Sequence, residues 1–271
     1  MIPDKARDTL LFALNKGGEA LMKHMGLTSE ATVKESISSV VTEADLASEK
    51  VILEVLQSTA ESYNIITEES GYLDSGSEYT WVIDPLDGTS NFAAGLPWFG
   101  IIIALLHKET PILGGMYLPV NNELYTSELD KGSWKNGEEI RVTDSDSLAE
   151  NLMAYSFDFS DVPGKTESEM EILKRLSKKV RNIRSTNSLV DFCYMADGRL
   201  GATLNQSTKI WDIAVPWLMI REGGGKVTDI QGREIRFDLS AKTFDRNYTI
   251  LASGARLYTS LLETIEIKHP K

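Results

Sequence analysis

Cysteine is almost absent from this chain of 271 residues, in which Cys193 stands alone. A lone thiol cannot form an internal disulfide, so a disulfide-held fold is excluded and a reducing compartment is expected. Long apolar runs are missing too, since the run at residues 101–106 is far too short to span a bilayer. Residues 1–5 show no basic stretch followed by an apolar run, so no secretory signal is expected. These absences predict a cytoplasmic protein with no membrane partner.

Basic residues are also in deficit. The chain has 28 Lys and Arg against 40 Asp and Glu, which gives a net charge of −12. A general nucleic-acid binder needs a basic surface to meet the phosphate backbone, so that class is excluded. An anionic small substrate is not excluded, because bound divalent cations reverse the sign of the local field.

Histidine is scarce, and the three histidines lie in no recognisable motif. We expect His24, His107 and His269 to be structural or exposed rather than catalytic. Cys193 is expected to be a core residue of its helix. No protein nucleophile is apparent, so the chemistry has to be sought among the acidic residues.

What the chain does have is the composition of an ordinary globular protein, with 42% apolar and 25% charged residues. We expect a single domain over 1–271, with an N-terminal α+β part at about 1–145 and a C-terminal α/β part at about 146–271. Helices and strands that come in blocks favour α+β layers over a regular βαβ repeat.

Several local patterns predict individual elements. Leu10, Leu14 and Leu21 share one face of a first helix. A polar loop at 27–41 precedes a second helix, which opens at Thr42 with Asp45 at capping-box spacing and runs to about residue 63. Turn residues predict hairpins at 120–122, 136–137 and 231–232.

The most informative segment is the Asp-Pro-Leu-Asp-Gly-Thr run at 84–89, which directly follows an apolar strand. Asp84, Asp87 and the carbonyl of Leu86 offer oxygen ligands of the kind that hard cations prefer. Backbone N–H groups at Gly88 and Thr89, where a helical turn begins, suit a phosphate. Taken alone, the same residues are also those of an ordinary surface turn.

Other acidic residues are candidates for the same site. Glu68, at the end of the preceding strand, is a candidate third ligand, although a Glu-Glu pair is often only a solvated strand end. Asp212 opens a helix and Asp45 pairs with Thr42, so each is also explained by capping alone. Haloacid-dehalogenase phosphatases carry an Asp-x-Asp nucleophile motif with one residue between the two aspartates. Two residues separate Asp84 from Asp87, so that motif is excluded.

These segments together resemble the inositol monophosphatase family. The matching motifs, in the family's order, are Thr-x-x-Asp at 42–45, Glu-Glu at 68–69, Asp-Pro-x-Asp-Gly-Thr-x-Asn-Phe at 84–92, Trp-Asp-x-Ala at 211–214 and Glu-Gly-Gly at 222–224. The resemblance extends over nearly the whole chain, and several spaced motifs in register are far more specific than any one of them.

The resemblance implies a layered αβαβα sandwich of the inositol monophosphatase and fructose-1,6-bisphosphatase type, a homodimer, and two or three Mg²⁺ ions at the sheet ends. By position, Glu68, Asp84 and the Leu86 carbonyl hold the first ion. Asp84, Asp87 and Asp212 hold the second, and a weaker third ion relies on Glu68 and water. Inhibition by lithium is expected.

The resemblance also implies catalytic and substrate roles. Glu68 and Thr89 orient or deprotonate a water molecule, and Asp45 holds the Thr89 hydroxyl. Lys34, in the polar loop, matches a family lysine near the site. The implied substrate contacts are Lys34, Asp87, Gly88, Thr89, Ser90, Asn205 and Asp212.

The implied activity is Mg²⁺-dependent hydrolysis of inositol 1-phosphate or a related sugar or polyol phosphate. The substrate side departs from the family pattern: Asn205 replaces a glutamate of many inositol-specific members, and Asn187-Ser188 replaces Gly-Ser. The alternative activities that therefore stay open are those of a 3′(2′),5′-bisphosphate nucleotidase, a fructose-1,6-bisphosphatase and a histidinol-phosphatase. A non-catalytic regulatory protein that binds a protein partner also stays open.

Overall fold

The computed structural model describes residues 2–26, 32–33, 40–59 and 61–266, with only the backbone at 32–33 and 40–41. None of the helices in these ranges is long and apolar enough to cross a membrane. The predicted loop at 27–41 lies mostly outside the described residues; within it, β1 (Thr32–Val33) pairs antiparallel with β2 (Val40–Val41).

Two helices form the outer layer at the N-terminal side. In α1 (Ala6–His24), the predicted face of leucines is fully buried. The second helix, α2 (Glu43–Gln57), begins at the predicted capping box but ends six residues before the predicted position. It ends there because the Ser58 and Thr59 hydroxyls turn back onto the Val55 and Leu56 carbonyls, at 2.7 and 3.1 Å.

The first sheet has eight strands and supplies the acidic segment. Its strands and the short helix among them are β3 (Asn64–Thr67), β4 (Gly71–Leu73), β5 (Tyr79–Asp87), α3 (Thr89–Ala93), β6 (Gly100–His107), β7 (Thr110–Leu118), β8 (Glu123–Glu128), β9 (Gly132–Lys135) and β10 (Glu138–Ile140). The strand order is β10-β9-β8-β7-β6-β5-β3-β4. Only β3 and β5 pair in parallel, so the residues that follow them emerge at the same edge of the sheet.

The second sheet has five strands, in the order β12-β11-β13-β15-β14. Its elements and the helices between them are β11 (Leu152–Ser156), α4 (Lys165–Leu176), β12 (Asn182–Arg184), α5 (Leu189–Ala196), β13 (Ala202–Thr208), α6 (Ile210–Glu222), β14 (Gly225–Thr228), β15 (Tyr248–Gly254) and α7 (Tyr258–Ile265). Strand β11 pairs in parallel with β12 and β13, and β15 pairs antiparallel with β13 and β14.

The layers follow from which faces are apolar. Helices α1 and α2 cover one face of the first sheet, α5 and α6 fill the space between the two sheets, and α4 and α7 cover the outer face of the second sheet. Helix α6 is apolar almost all round, as a helix buried between two sheets has to be. The predicted αβαβα sandwich is confirmed, while the reading of the chain as one domain with two parts stays a prediction.

Two predicted hairpins are confirmed, and one is wrong. Turns at 120–122 and 136–137 join β7 to β8 and β9 to β10, with Asn122 and Asn136 in the left-handed region that asparagine tolerates. The turn at 231–232 forms, because the Asp229 carboxylate accepts from the amides of Gln231 and Arg233. The chain then leaves the sheet, and β14 pairs instead with β15.

The packing of α1 on the first sheet gives a stability test. Leu14 is fully buried, and its Cδ1 lies so close to Gly115 that a Cβ built there would come within 2.6 Å. Replacing Leu14 by Ala should lower the free energy of unfolding by about 3 kcal/mol, because the cavity cannot collapse in so tight a contact. Urea titration measures this. Phe12→Ala, on the exposed side of the same helix, is the control and should cost less than about 1 kcal/mol.

Candidate functional site

A cavity of about 550 Å³ lies where the ends of the two sheets meet. Nine of the residues predicted from the sequence line it: Glu68, Asp84, Leu86, Asp87, Gly88, Thr89, Ser90, Asn205 and Asp212. Asp45 contacts Thr89 from behind the wall, and Lys34 lies outside the described residues. The structure thus brings together side chains from β5, α3, β13 and α6 and the residue that follows β3.

A bulge in β5 puts Asp84 and Asp87 on the same side of the sheet. Asp84 pairs with Ile102 of β6, and Asp87 pairs with Gly100. Between these two pairs, β5 therefore advances by three residues and β6 by two. Because side chains alternate along a strand, residues three apart would otherwise face opposite ways. The extra residue corrects the alternation. Both carboxylates therefore reach the cavity.

Three carboxylates converge there, and a backbone amide holds one oxygen of each. Asp84 Oδ1 accepts from Leu86 N at 3.0 Å, Asp87 Oδ1 from Leu189 N at 2.5 Å, and Asp212 Oδ2 from Lys209 N at 2.7 Å. One oxygen from each of the three aspartates lies within 4.8 Å of the other two. A fixed set of carboxylate oxygens is the donor set that hard cations such as Mg²⁺ prefer. Asp212 is therefore both the cap of α6 and part of this triad.

Burial and mutual repulsion make these carboxylates reluctant to ionise without a cation. Burial raises the pKa of Asp87 to about 7, although the Leu189 amide opposes the shift. Burial, followed by the charges of Glu68, Asp87 and Asp212, raises the pKa of Asp84 well above its usual range. Burial, followed by the charge of Asp87, does the same to the pKa of Asp212. A bound divalent cation would remove this penalty.

Glu68 enters the cavity through the parallel pairing of β3 and β5. Thr67 is in register with Ile83, and the Glu68 amide donates to the Ile83 carbonyl at 3.3 Å, so Glu68 follows its strand beside Asp84. Glu68 lines the cavity, whereas its neighbour Glu69 does not, and Glu68 stands outside the 4.8 Å triad. Its charge nevertheless contributes to the raised pKa of all three aspartates.

Glu49, which the sequence analysis missed, holds the segment that carries Glu68. Its buried carboxylate accepts from Thr67 Oγ1 at 2.7 Å, from Ser70 N at 2.9 Å and from Ser70 Oγ at 2.5 Å. The residues on both sides of the Glu-Glu pair are therefore tied to α2. Glu49 follows Asp45 by four residues, on the same face of the helix, and that spacing was the available signal.

Thr89 and Asp45 form a hydrogen-bonded pair at the edge of the cavity. Thr89 Oγ1 lies 3.0 Å from Asp45 Oδ1 and 2.9 Å from the Leu86 carbonyl. The other oxygen of Asp45 accepts from the amide and the hydroxyl of Thr42, at 2.7 and 2.6 Å. The predicted capping box is thus confirmed, and the same carboxylate reaches the cavity wall through Thr89.

The start of α3 presents unused backbone donors beside the triad. Gly88 has φ +84°, and a Cβ there would come within 2.5 Å of the Trp98 carbonyl, so only glycine fits. Within the described part of the chain, the amides of Gly88, Thr89 and Ser90 donate to no protein acceptor. Such amides at a helix start are suited to an anion.

Another part of the cavity wall contains Asn205 together with Asn187 and Lys165. Asn205 lies in it as predicted, with its Oδ1 engaged by the amide of Ser207 at 2.8 Å. Asn187 has φ +52° and donates to Asp158 Oδ1 at 2.8 Å. Lys165, at the start of α4, also lines this wall. Asn187 and Asn205 stand at the two positions where the sequence departs from the family pattern, whereas Lys165 belongs to no motif, so no sequence signal pointed to it.

The histidines stay away from the site, as far as the structure describes them. His24 Nδ1 contacts the Ala20 carbonyl at 2.9 Å within α1, and His107 packs on Tyr79 with ring centroids 4.8 Å apart. His269 lies outside the described residues. Cys193 is fully buried in the central core, as predicted, and burial raises the pKa of its thiol.

The raised pKa of Asp87 predicts how the metal-free protein responds to pH. Between about pH 4, where an unfolded aspartate ionises, and about pH 7, the folded state keeps a proton that the unfolded state has lost. The free energy of unfolding should therefore fall by more than about 1 kcal/mol from pH 5 to pH 7.5 in EDTA. Urea titrations at both pH values measure it, and Asp87→Asn should flatten the dependence. Equal or greater stability at pH 7.5 would contradict the argument.

The contacts of Glu49 predict an indirect effect on cation binding. Glu49→Ala leaves Thr67 and Ser70 without their acceptor and should weaken Mn²⁺ binding by about 10-fold or more. Glu49→Gln keeps one carbonyl oxygen and should weaken it less. Isothermal titration with Mn²⁺ measures both. Glu54→Ala, at an exposed position of the same helix, is the control. Unchanged Mn²⁺ affinity in folded Glu49→Ala protein would show that Glu49 does not position the site.

Comparison with known proteins agrees with this geometry. A model of the inositol monophosphatase family matches residues 5–268. The "Nus factor SuhB" of Haemophilus influenzae is 33% identical over 93% of this chain and 92% of its own length. A protein of Thermotoga maritima named "fructose-1,6-bisphosphatase/inositol-1-monophosphatase" is 33% identical over 89% of this chain and 88% of its own.

Solved structures are similar over almost the whole chain. The crystal structure of extragenic suppressor protein suhB from Bartonella henselae superposes with a TM-score of 0.87, at 28% identity, and covers 97% of this chain and 99% of that one. The family match includes the carboxylate triad and the start of α3. This chain belongs to the inositol monophosphatase family.

Proposed function

We propose that the chain is a Mg²⁺-dependent phosphoric monoester hydrolase that acts on inositol 1-phosphate or a related sugar or polyol phosphate. The family is one of phosphatases, which supports hydrolysis of a small phosphate ester. The observation that carries the proposal is the position of the Asp84, Asp87 and Asp212 triad beside the unused amides that open α3. A cation site next to an anion site is what a phosphate ester needs.

The proposal assigns two or three Mg²⁺ ions to this site, and the carboxylate triad supports a metal ion there. Glu68, Asp84 and the Leu86 carbonyl would hold one ion, and Asp84, Asp87 and Asp212 a second. A weaker third ion would rely on Glu68. When bound, Mg²⁺ supplies Lewis-acid activation of water and neutralises the charge that develops on the departing oxygen.

The residues of the chain position the two reacting molecules. The amides of Gly88, Thr89 and Ser90 bind the phosphoryl oxygens and stabilise the charge that they carry in the transition state. Asp45 accepts from the Thr89 hydroxyl and so orients it. Thr89 and Glu68 then orient the attacking water, and the Glu68 carboxylate accepts its proton.

The reaction needs no covalent intermediate with the protein. The water oxygen forms a new bond to phosphorus, the ester P–O bond breaks, and the leaving oxygen takes the electron pair. The leaving oxygen also takes a proton from solvent water, and Glu68 releases to solvent the proton that it accepted. The leaving group lies against the wall that contains Asn205, with Asp87 and Asp212 on its inner side. Lys34 is proposed to approach the substrate from the polar loop.

Further properties belong to the same proposal. We expect inhibition by Li⁺, a cytoplasmic location and a homodimer. Leu96 and Trp98, in the segment between α3 and β6, have exposed side chains. A second copy of the chain would cover the apolar surface that they form. Fructose-1,6-bisphosphatase, bisphosphate nucleotidase and histidinol-phosphatase activities are alternatives on the same catalytic residues.

A regulatory role through a protein partner is the second candidate function. It is favoured by one observation, that relatives about one-third identical over most of their length carry the name "Nus factor SuhB". The intact carboxylate triad favours the enzyme. Buried carboxylates that converge without a cation are costly, and a protein that only binds a partner has no use for them.

Phosphate release from purified protein tests the proposal. Inositol 1-phosphate, glycerol 2-phosphate, fructose 1,6-bisphosphate, histidinol phosphate and adenosine 3′,5′-bisphosphate would each be assayed with Mg²⁺, with EDTA, and with Mg²⁺ plus Li⁺. Asp84→Asn should lower turnover by about a thousandfold, since losing several kcal/mol of metal-derived stabilisation has that effect. Asp8→Asn, at an exposed position of α1, should leave turnover unchanged.

Two outcomes would contradict the proposal. Substantial turnover by folded Asp84→Asn protein in saturating Mg²⁺ would remove Asp84 from the metal site. Mg²⁺ binding by the unaltered protein, without turnover of any substrate in the panel, would favour the regulatory role.

A further inference from the structure

The part of the cavity wall that contains Asn205 carries a compact group of hydrogen-bond donors. Lys165 Nζ, at the first residue of α4, donates to Ser207 Oγ on β13. Two residues earlier on the same strand, Asn205 uses its Oδ1 to accept from the Ser207 amide at 2.8 Å. All three side chains line the cavity.

The hydrogen bonds already formed decide what these groups have left to offer. Asn205 has its acceptor engaged, so its Nδ2 amine is what remains for a ligand. Ser207 accepts from Lys165, which leaves the Ser207 hydroxyl proton to donate. The ammonium of Lys165 has three N–H groups and uses one of them on Ser207. Three neighbouring donors, one of them cationic, match an oxyanion.

Within the described part of the chain, no carboxylate lies at hydrogen-bonding distance from the Lys165 ammonium, although Asp158 lines the same cavity. The carboxylate neighbour of Lys165 is Glu169 Oε1, at 3.9 Å, which is beyond hydrogen-bond reach. Glu169 is almost completely buried, and its Oε1 has no hydrogen-bond partner in the described part of the chain. Burial raises the pKa of Glu169, although the charge of Lys165 opposes the shift. Lys209 also lines the cavity but is engaged differently, since its Nζ donates to the Phe244 carbonyl at 2.7 Å.

We propose that Lys165, Ser207 and Asn205 form a second anion subsite, which binds an acidic group on the leaving portion of the substrate. The acidic group is a phosphate or a carboxylate. This inference rests on the proposed function and narrows it: the preferred substrates are sugar or polyol phosphates that carry a further acidic group, rather than neutral polyol monophosphates.

Three substrates that differ at one carbon test the subsite. Glucose 1-phosphate has a neutral hydroxymethyl group at C6, glucuronic acid 1-phosphate has a carboxylate there, and glucose 1,6-bisphosphate has a phosphate. The subsite predicts a lower KM for one or both acidic substrates than for glucose 1-phosphate. The preferred acidic substrate distinguishes the two acidic groups. Coupling to glucose-6-phosphate dehydrogenase reports whether the bisphosphate loses its 1-phosphate.

The informative variant is Lys165→Met, which keeps most of the aliphatic stem and removes the charge. It should raise KM for the preferred acidic substrate by about 10- to 100-fold, the worth of a charge-assisted hydrogen bond to an anion. The kcat for that substrate and both constants for glucose 1-phosphate should stay near their original values, because the lost contact is one of binding alone. Lys174→Met, on the exposed side of α4, is the matched control.

A purely structural role for Lys165, as the counterion of Glu169, gives a different result. It predicts that Lys165→Met lowers the stability of the protein and changes the kinetic constants for all three substrates alike. It also predicts that adding Glu169→Gln restores the stability and the kinetic constants. The anion subsite predicts that the double variant recovers any lost stability while KM for the acidic substrate stays high. If Lys165→Met does not fold, the double variant and Ser207→Ala provide the comparison.

The failure of this inference is distinguishable from the failure of the proposed function. Mg²⁺-dependent turnover with equal KM for the three glucose derivatives, or a Lys165→Met variant with unchanged KM for the acidic ones, would overturn the subsite alone. Absence of turnover with every phosphate ester would overturn the function and the subsite together.

Discussion

Three aspartates that repel one another are the constraint around which this structure is arranged. Asp84, Asp87 and Asp212 each offer an oxygen within 4.8 Å of the others, in surroundings that disfavour their charge. A backbone amide holds each one, and the three amides come from β5, from α5 and from the residue that precedes α6. Those elements must therefore keep a fixed geometry, or the cation site loses its shape.

The layered fold provides that rigidity because the amides lie at the edges of the central core. Helices α5 and α6 are buried between two sheets, and β5 is an inner strand of the larger one. The bulge in β5 corrects the alternation so that Asp87 faces the same way as Asp84. From the outer layer, Glu49 of α2 ties down the segment that carries Glu68. The packing of the central core and the hydrogen bonds of Glu49 thus both hold the cation site in place at one edge of the first sheet.

Local spacing was enough to find the site features whose geometry is local, whereas Glu68, Asp212 and Asn205 were found through the family motifs. The 84–89 run contains its own turn and the start of a helix, and the Asp45 capping box spans four residues. The missed contacts join distant parts of the chain: the Leu189 amide lies 102 residues from Asp87, and Ser207 lies 42 residues from Lys165. The end of α2 and the hairpin at 231–232 were wrong because side-chain hydrogen bonds and long-range strand pairing overrode the local pattern.

The two ends of the cavity therefore differ in how far they can vary. Around the triad, buried backbone amides and a glycine with no room for a Cβ fix each position, so substitution there disturbs both packing and charge. Other parts of the cavity wall are made by side chains near the surface, including Phe159 and Val162, which are 54% and 60% exposed. Such side chains can change with little effect on the core. The fold consequently determines the type of chemistry, and the identity of the leaving group depends on a few side chains such as Lys165 and Asn205.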